Sequence, residues 1–303
     1  MATGSSTKVI VIALFANLGI ACGKFFGAFV SGSASMLAEA IHSVVDSSNQ
    51  LLLLWGAKRS KRPATEKYPL GFGREAFFWS FIVAIMLFSL GGLFAIYEGV
   101  HKLNEHSGLS YPQVALGILL FSIAVEGYSF WACYQEVRRQ NTFGSLWSWF
   151  HKTTSSELLV IFTEDLAALT GLVIATLALL LSWITGDSTW DGVGSIAVGA
   201  LLVVTAVLLA IEVKSLLIGE AAVTDYRPLI NAELESVLPG AKVLRIIALQ
   251  TGASEVLLSY KIHPGDTSDV STLIKGINVV EKKMRDRCPE IHWQFIEPDF
   301  SDD

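Results

Sequence analysis

A 303-residue chain that is 52% hydrophobic and only 17% charged is too apolar for an ordinary soluble domain, where charged residues make up about 25%. Its mean hydropathy of +0.51 points the same way. The formal net charge of −6 comes with no nucleic-acid signature, and three scattered cysteines, Cys22, Cys133 and Cys288, form neither a CxxC pair nor a disulfide framework.

Six segments are long enough to span about 30 Å of hydrocarbon: Lys8–Val30, Ala34–Ala57, Ala76–His101, Tyr111–Glu136, Ser156–Ile184 and Trp190–Leu217. The first lacks a clear small-residue cleavage site and is followed at once by a second apolar segment, so it reads as a span and not as a signal peptide. Small residues recur inside the spans, Gly19, Gly23 and Gly27 at every fourth position in the first and Gly192, Gly194 and Gly199 in the last, and predict close helix packing in lipid. Gly91–Gly92 in the third span reads as a packing contact or a bend. Trp55, Trp79, Trp147, Trp149, Trp183 and Trp190 fall near span ends, as an aromatic belt would place them.

Basic residues concentrate in two connections. One holds Lys58, Arg59, Lys61, Arg62, Lys67 and Arg74; the other holds Arg138, Arg139 and Lys152. The positive-inside rule makes both cytoplasmic, and six spans then put both termini there too. With no targeting peptide evident, the expected location is the plasma membrane, as in a bacterial inner membrane.

From Gly219 the chain turns polar. Tyr226–Val237 reads as a helix stopped by Pro239–Gly240. Lys242–Gln250 and Glu255–His263 read as strands joined at Thr251–Gly252, Asp269–Arg287 as a helix, and Ile291–Ile296 as a last strand. The expected architecture is a six-helix membrane bundle (residues 1–218) followed by a small cytoplasmic α-β-β-α-β domain (residues 219–303). So small a sheet, with one helical face, is expected to finish its burial against a second copy as a homodimer.

The chemistry lies inside the spans. His42 and Asp46 are one helical turn apart, so imidazole and carboxylate share a face. A charged residue in a membrane helix costs roughly 2.5–3.5 kcal/mol on insertion scales, which makes such a pair a functional-site hypothesis by default. Glu164 and Asp165 form a second acidic cluster in the fifth span. Adjacent residues point about 100° apart, so one of the two is expected to face His42. One imidazole with two carboxylates suits a first-row divalent cation. Zn²⁺ favours this donor set; Mn²⁺, Fe²⁺ and Co²⁺ stay open, and Mg²⁺ and Ca²⁺ prefer all-oxygen shells. A ligand must be deprotonated to bind, so loading the ion displaces protons, and metal–proton antiport is the expected use.

At these residues the chain resembles the cation diffusion facilitator family of divalent-metal transporters. SGSASMLAEAIHSVVDSSNQ is similar to the family's second-helix motif, and KRPATEKYPLGFGREAF resembles the loop after it. The Glu-Asp pair in the fifth span resembles the subgroup of the human mitochondrial zinc transporter ZnT9. The resemblance implies a homodimer exporting Zn²⁺ or a related ion in exchange for protons. Ile161 departs from the pattern, standing where the family usually carries His or Asp four residues before its Asp. Thr65, Tyr68 and Phe72 stand where bacterial members often have a loop metal site, so that site is expected to be absent. Lys242, Tyr260, Leu273, Phe295 and Glu297 stand where family members often bind zinc between cytoplasmic domains, and only Glu297 could ligate.

The expected direct ligands are therefore His42, Asp46 and Asp165, then Glu164. Glu39 reads as a partner of the imidazole, a fourth ligand or a cavity acid. Asn49 and Asn17 read as interhelical glue or oxygen donors, and Glu126 as a cavity-lining or proton-relaying acid. Lys24 pairs with an acid or snorkels; Asp187 and Asp191 read as solvated. No HExxH or GxSxG signature supports an enzyme. No resident cofactor is expected, the metal being cargo. Alternatives are a Mn²⁺, Fe²⁺ or Co²⁺ exporter on the same scaffold and a non-transporting metal-binding or assembly protein.

Overall fold

The computed structural model describes residues 18–105, 110–141, 144–267 and 269–302; residues 8–17 of the first expected span, with Asn17, lie outside them. The chain divides into two compact units. One is made of residues up to Ala57 and Phe78–Val213; the other combines Lys58–Phe77 with Lys214–Asp303. The connection after the second helix thus groups with the C-terminal residues.

In the first unit, α1 (Leu18–Ser31) ends at Gly32, whose left-handed φ of 65° lets its N–H reach the Ala28 carbonyl at 2.8 Å. Lys102 then donates to the Gly32 carbonyl at 2.6 Å, a cation at a helix C-terminus. Next come α2 (Ala34–Ser60), α3 (Glu75–Met86), a π-helical segment (Leu87–Leu93) and α4 (Phe94–Glu105). They are followed by α5 (Pro112–Gln140), the short α6 (Leu146–Lys152), α7 (Ser156–Thr185) and α8 (Thr189–Ile218). Among the described residues, four helical stretches are long and apolar enough to cross a membrane: Glu75–Asn104, α5, α7 and α8. The 27-residue α2 is long enough but falls outside that set, because one of its faces carries Glu39, His42, Ser43, Asp46 and Asn49.

Glycine packing follows the expectation at Gly27, Gly192, Gly194 and Gly199 and departs from it at Gly19 and Gly23. Gly19 and Gly23 meet nothing within 4 Å. With Gly117 of α5 they line an open groove of about 650 Å³ between α1 and α5, so they do not mediate a close crossing within this unit. A close backbone crossing lies between the third-span helix and α8. A Cβ on Gly199 would stand 2.7 Å from the Gly92 carbonyl oxygen, and one on Gly99 would stand 2.7 Å from that of Gly192. Trp149 also departs from the belt. It is the one buried residue of α6, packed edge-on to Phe162 at 5.6 Å, whereas Trp147 is 70% exposed.

The second unit holds α9 (Arg227–Val237), β1 (Lys242–Gly252), β2 (Glu255–His263), α10 (Val270–Arg287) and β3 (Ile291–Pro298), in the expected α-β-β-α-β order. The sheet order is β1-β2-β3. A tight turn makes β1–β2 antiparallel, and the α10 crossover makes β2–β3 parallel. The strand side chains Val256, Leu258, Tyr260 and Ile262 bury one sheet face against Ile230 and Leu234 of α9 and Val280 and Met284 of α10. Phe295 and Ile247 remain 55% and 56% exposed. Gly73 packs so closely on the β1–β2 turn that a Cβ there would stand 2.6 Å from the Thr251 carbonyl oxygen.

Candidate metal centre

The candidate centre is built on α2, and α2 is aimed by its first turn. Asp191, at the start of α8, is buried. Its carboxylate accepts from the Ala34 and Ser35 backbone N–H groups at 2.6 and 3.3 Å and from the Ser33 hydroxyl at 2.7 Å, and it also contacts the Ser35 hydroxyl. A carboxylate on the free N–H groups of a helix start satisfies them and opposes the helix dipole. Asp191 is thus a buried cap, not a solvated turn residue, while Asp187 is exposed as expected.

From that cap the polar stripe of α2 turns inward. Glu39, His42 and Asn49 are almost wholly buried, and Asp46 is 16% exposed. The His42 Nδ1–Asp46 Oδ1 distance is 3.5 Å without hydrogen-bond geometry. Both ring nitrogens of His42, Oδ1 of Asp46, Oε1 of Glu39 and Oδ1 of Asn49 are buried without a hydrogen-bond partner. Each such orphan costs about 1–3 kcal/mol, so five on one helix face call for a missing partner, and the donor types suit a cation.

The second acidic cluster comes from α7. Glu164 is 4% exposed and accepts from Asn49 Nδ2 at 2.6 Å, so it faces α2. Asp165 turns the other way along the helix circumference, toward Ser129 of α5 at 3.5 Å. Among the described residues, no three His, Cys, Asp or Glu side chains stand close enough together to hold a metal ion as they are placed. Gly91 of the π-helical segment closes one side; a Cβ there would come within 4.0 Å of His42 Nδ1. Single-turn π segments recur at functional sites. The bend or contact expected at Gly91–Gly92 is this one.

Lys24 of α1 is fully buried. Its Nζ stands 2.7 Å from Ser43 Oγ, 3.3 Å from Glu39 Oε2 and 3.5 Å from Glu126 Oε1. It pairs with acids and does not snorkel. Spacing alone had no way to join α1, α2 and α5 at this point; the one signal was a lysine inside an apolar run.

The residues that depart from the resemblance have other work. Ile161 packs against the apolar cluster that includes Trp149, Phe162 and Val213. Tyr68 and Phe72 stack at 4.8 Å, with Arg62 over Phe72. Tyr260 is buried and accepts from Gln294 at 2.9 Å, Leu273 packs on the core, and Glu297 lies 3.8 Å from Lys261.

Residues 10–218 match the model of the cation efflux transmembrane domain. The chain is 33% identical over 222 residues to metal tolerance protein C4 of Arabidopsis thaliana, covering 71% of this chain and 48% of that protein. It is 34% identical over 214 residues to the mouse proton-coupled zinc antiporter SLC30A9, mitochondrial, covering 69% and 38%. It is 32% identical over 171 residues to magnetosome protein MamB of Magnetospira sp. (strain QH-2), covering 55% and 57%. The match thus spans about half, or less, of the length of the first two of these curated relatives.

Proposed function

We propose, from the premise that this chain belongs to the cation efflux family, a family of metal-ion transporters and not of enzymes, that it exchanges a divalent transition-metal ion, Zn²⁺ foremost, for protons. His42, Asp46 and Glu164 are the ligands, with Asn49 holding Glu164 in reserve. Asp165 is the alternative acid on α7. A neutral imidazole with two carboxylates balances a dication, and this N/O set is one Zn²⁺ favours. The observation that carries the reading is the orphaned lone pairs of His42 and Asp46, buried on the face of α2 to which Asn49 ties Glu164. A cation that draws Asp46 and Glu164 inward would supply the missing partners. Each carboxylic acid that becomes a ligand gives up its proton, which couples loading to proton release. The name of the mouse relative, a proton-coupled zinc antiporter, supports the same choice of ion and coupling.

The arrangement in the membrane is part of the proposal. Six spans, counting α1 and the stripe-bearing α2, put both basic connections and both termini on the cytoplasmic side of a plasma membrane. The open sheet face that bears Ile247 and Phe295 then seats a second copy in a homodimer. The exposed apolar helix surfaces contact lipid.

The experiment is flux in sealed vesicles. Purified protein should move Zn²⁺ when a pH gradient is imposed, and Asp46→Asn and Glu164→Gln should abolish the movement. A panel of Mn²⁺, Fe²⁺ and Co²⁺ ranks the other ions. Tight binding without flux contradicts transport and favours an assembly protein.

A further inference from the structure

The Lys24 ammonium sits in a cage that would suit a metal ion. Two carboxylates and a hydroxyl, contributed by α2 and α5, converge on its Nζ at 2.7–3.5 Å. Of its three N–H donors, two are taken up by Ser43 and Glu39, and Glu126 adds an ion pair. One carboxylate has capacity to spare: Glu39 Oε1 is buried without a partner, 2.7 Å from where a Cβ on Gly171 would stand. The α7 backbone therefore leaves room for that oxygen only because residue 171 is glycine. Glu39 and Ser43 flank His42 on α2, so the cage adjoins the candidate centre.

We propose that Lys24 is a specificity-determining residue: its ammonium fills an oxygen-lined cation position next to the His42–Asp46–Glu164 set and keeps Glu39 and Glu126 out of the shell of the bound ion. The proposal rests on the transport reading for the identity of the cargo, and on the cage itself for everything else. With the ammonium in place the ion meets an imidazole and two carboxylates, a mixed N/O shell suited to Zn²⁺. Without it, Glu39, Glu126 and the Ser43 hydroxyl form an all-oxygen position, suited to harder ions such as Mn²⁺. A lysine that merely braced three helices would, when lost, weaken binding of every ion alike.

Equilibrium dialysis of the full chain in detergent against Mn²⁺ and Zn²⁺ tests this. Lys24→Gln is expected to raise Mn²⁺ affinity relative to Zn²⁺ by roughly tenfold or more. Lys24→Arg, which keeps the charge, holds the original ratio, and Lys24→Gln combined with Glu39→Gln loses the gain. Lys24→Gln leaves two buried carboxylates facing each other, so its melting temperature is followed as well. Excess Mn²⁺ should raise it more than it raises the parent's. An unchanged ratio, or a melting temperature that Mn²⁺ raises no more than the parent's, overturns the proposal. A parent protein that binds Zn²⁺ but does not carry it across a vesicle overturns transport and leaves the affinity ratio as the test of the cage.

Discussion

Gly199→Ala is expected to loosen the helix crossing that backs the candidate centre. The added Cβ would stand 2.7 Å from the Gly92 carbonyl oxygen and 2.7 Å from both the backbone nitrogen and Cγ1 of Ile96. Ordinary contact begins near 3.4 Å, so α8 and the π-helical segment must part by about 0.7 Å (3.4 − 2.7). The atoms in the way include backbone, which cannot swing aside like the end of a flexible side chain. Overpacking of this kind costs about 1–3 kcal/mol, and a backbone clash belongs at the upper end. Alanine returns up to about 1 kcal/mol of helix propensity, leaving a net loss of about 1–2 kcal/mol. Gly23→Ala is the internal control: nothing lies within 4 Å of its added Cβ, so only the propensity gain remains. Thermal unfolding of the two variants in the same detergent should therefore move in opposite directions, by about 2–4 °C per kcal/mol. Because Gly92 adjoins Gly91, which flanks His42, Gly199→Ala should also weaken Zn²⁺ binding while Gly23→Ala leaves it unchanged. A Gly199→Ala protein that melts at or above the parent's temperature would refute the crossing.

Asn49→Leu removes the 2.6 Å hydrogen bond to Glu164 and leaves a buried acceptor without its donor, which costs about 1–3 kcal/mol, so melting in metal-free detergent should drop, and added Zn²⁺ should restore part of the loss. Glu164→Gln is expected to lower Zn²⁺ affinity more than Asp165→Asn does, since Glu164 is the acid that faces α2; isothermal titration with the reverse order contradicts that assignment. Asp191→Ala strips the N-terminus of α2 of its carboxylate cap and should destabilise the protein by about 1 kcal/mol or more, with Asp191→Asn milder, read by thermal unfolding. In the other unit, Asp269 caps α10, and bonds from the Thr272 side chain and backbone hold its carboxyl below the usual carboxylate range. The stability it adds is present above the unfolded-state pKa and is lost as pH falls through the lower folded value. Melting of the Asp269→Asn protein should consequently fall less steeply than the parent's on acidification, and parallel curves would count against the cap.

Much of the helical order could be read from hydropathy, because long apolar runs bounded by polar turns have few other readings. The α2 stripe was legible for the same reason: residues at helical spacing must share a face. Three features were not. Whether Glu164 or Asp165 faces α2 depends on the rotation of α7, which packing against α2 and α5 sets; an adjacent pair carries no rotational information. The Asp191 cap and the Lys24 cage join residues far apart along the chain, and no local spacing encodes them. The π segment has no compositional mark beyond Gly91–Gly92. Gly19 and Gly23 show the converse error, since a stripe of small residues permits close packing without supplying a partner helix. Trp149 was misplaced because α6, a seven-residue helix, is too short to announce which face it buries.

Zinc K-edge X-ray absorption on the Zn²⁺-loaded protein tests the convergence of α2 and α7 most directly. The expected spectrum contains one imidazole with oxygen donors at about 2.0–2.2 Å and no sulfur. His42→Gln should erase the imidazole scattering, and Glu164→Gln should change the oxygen shell. An imidazole signal that survives His42→Gln, or a shell that ignores Glu164→Gln, would place the ion elsewhere and contradict the account.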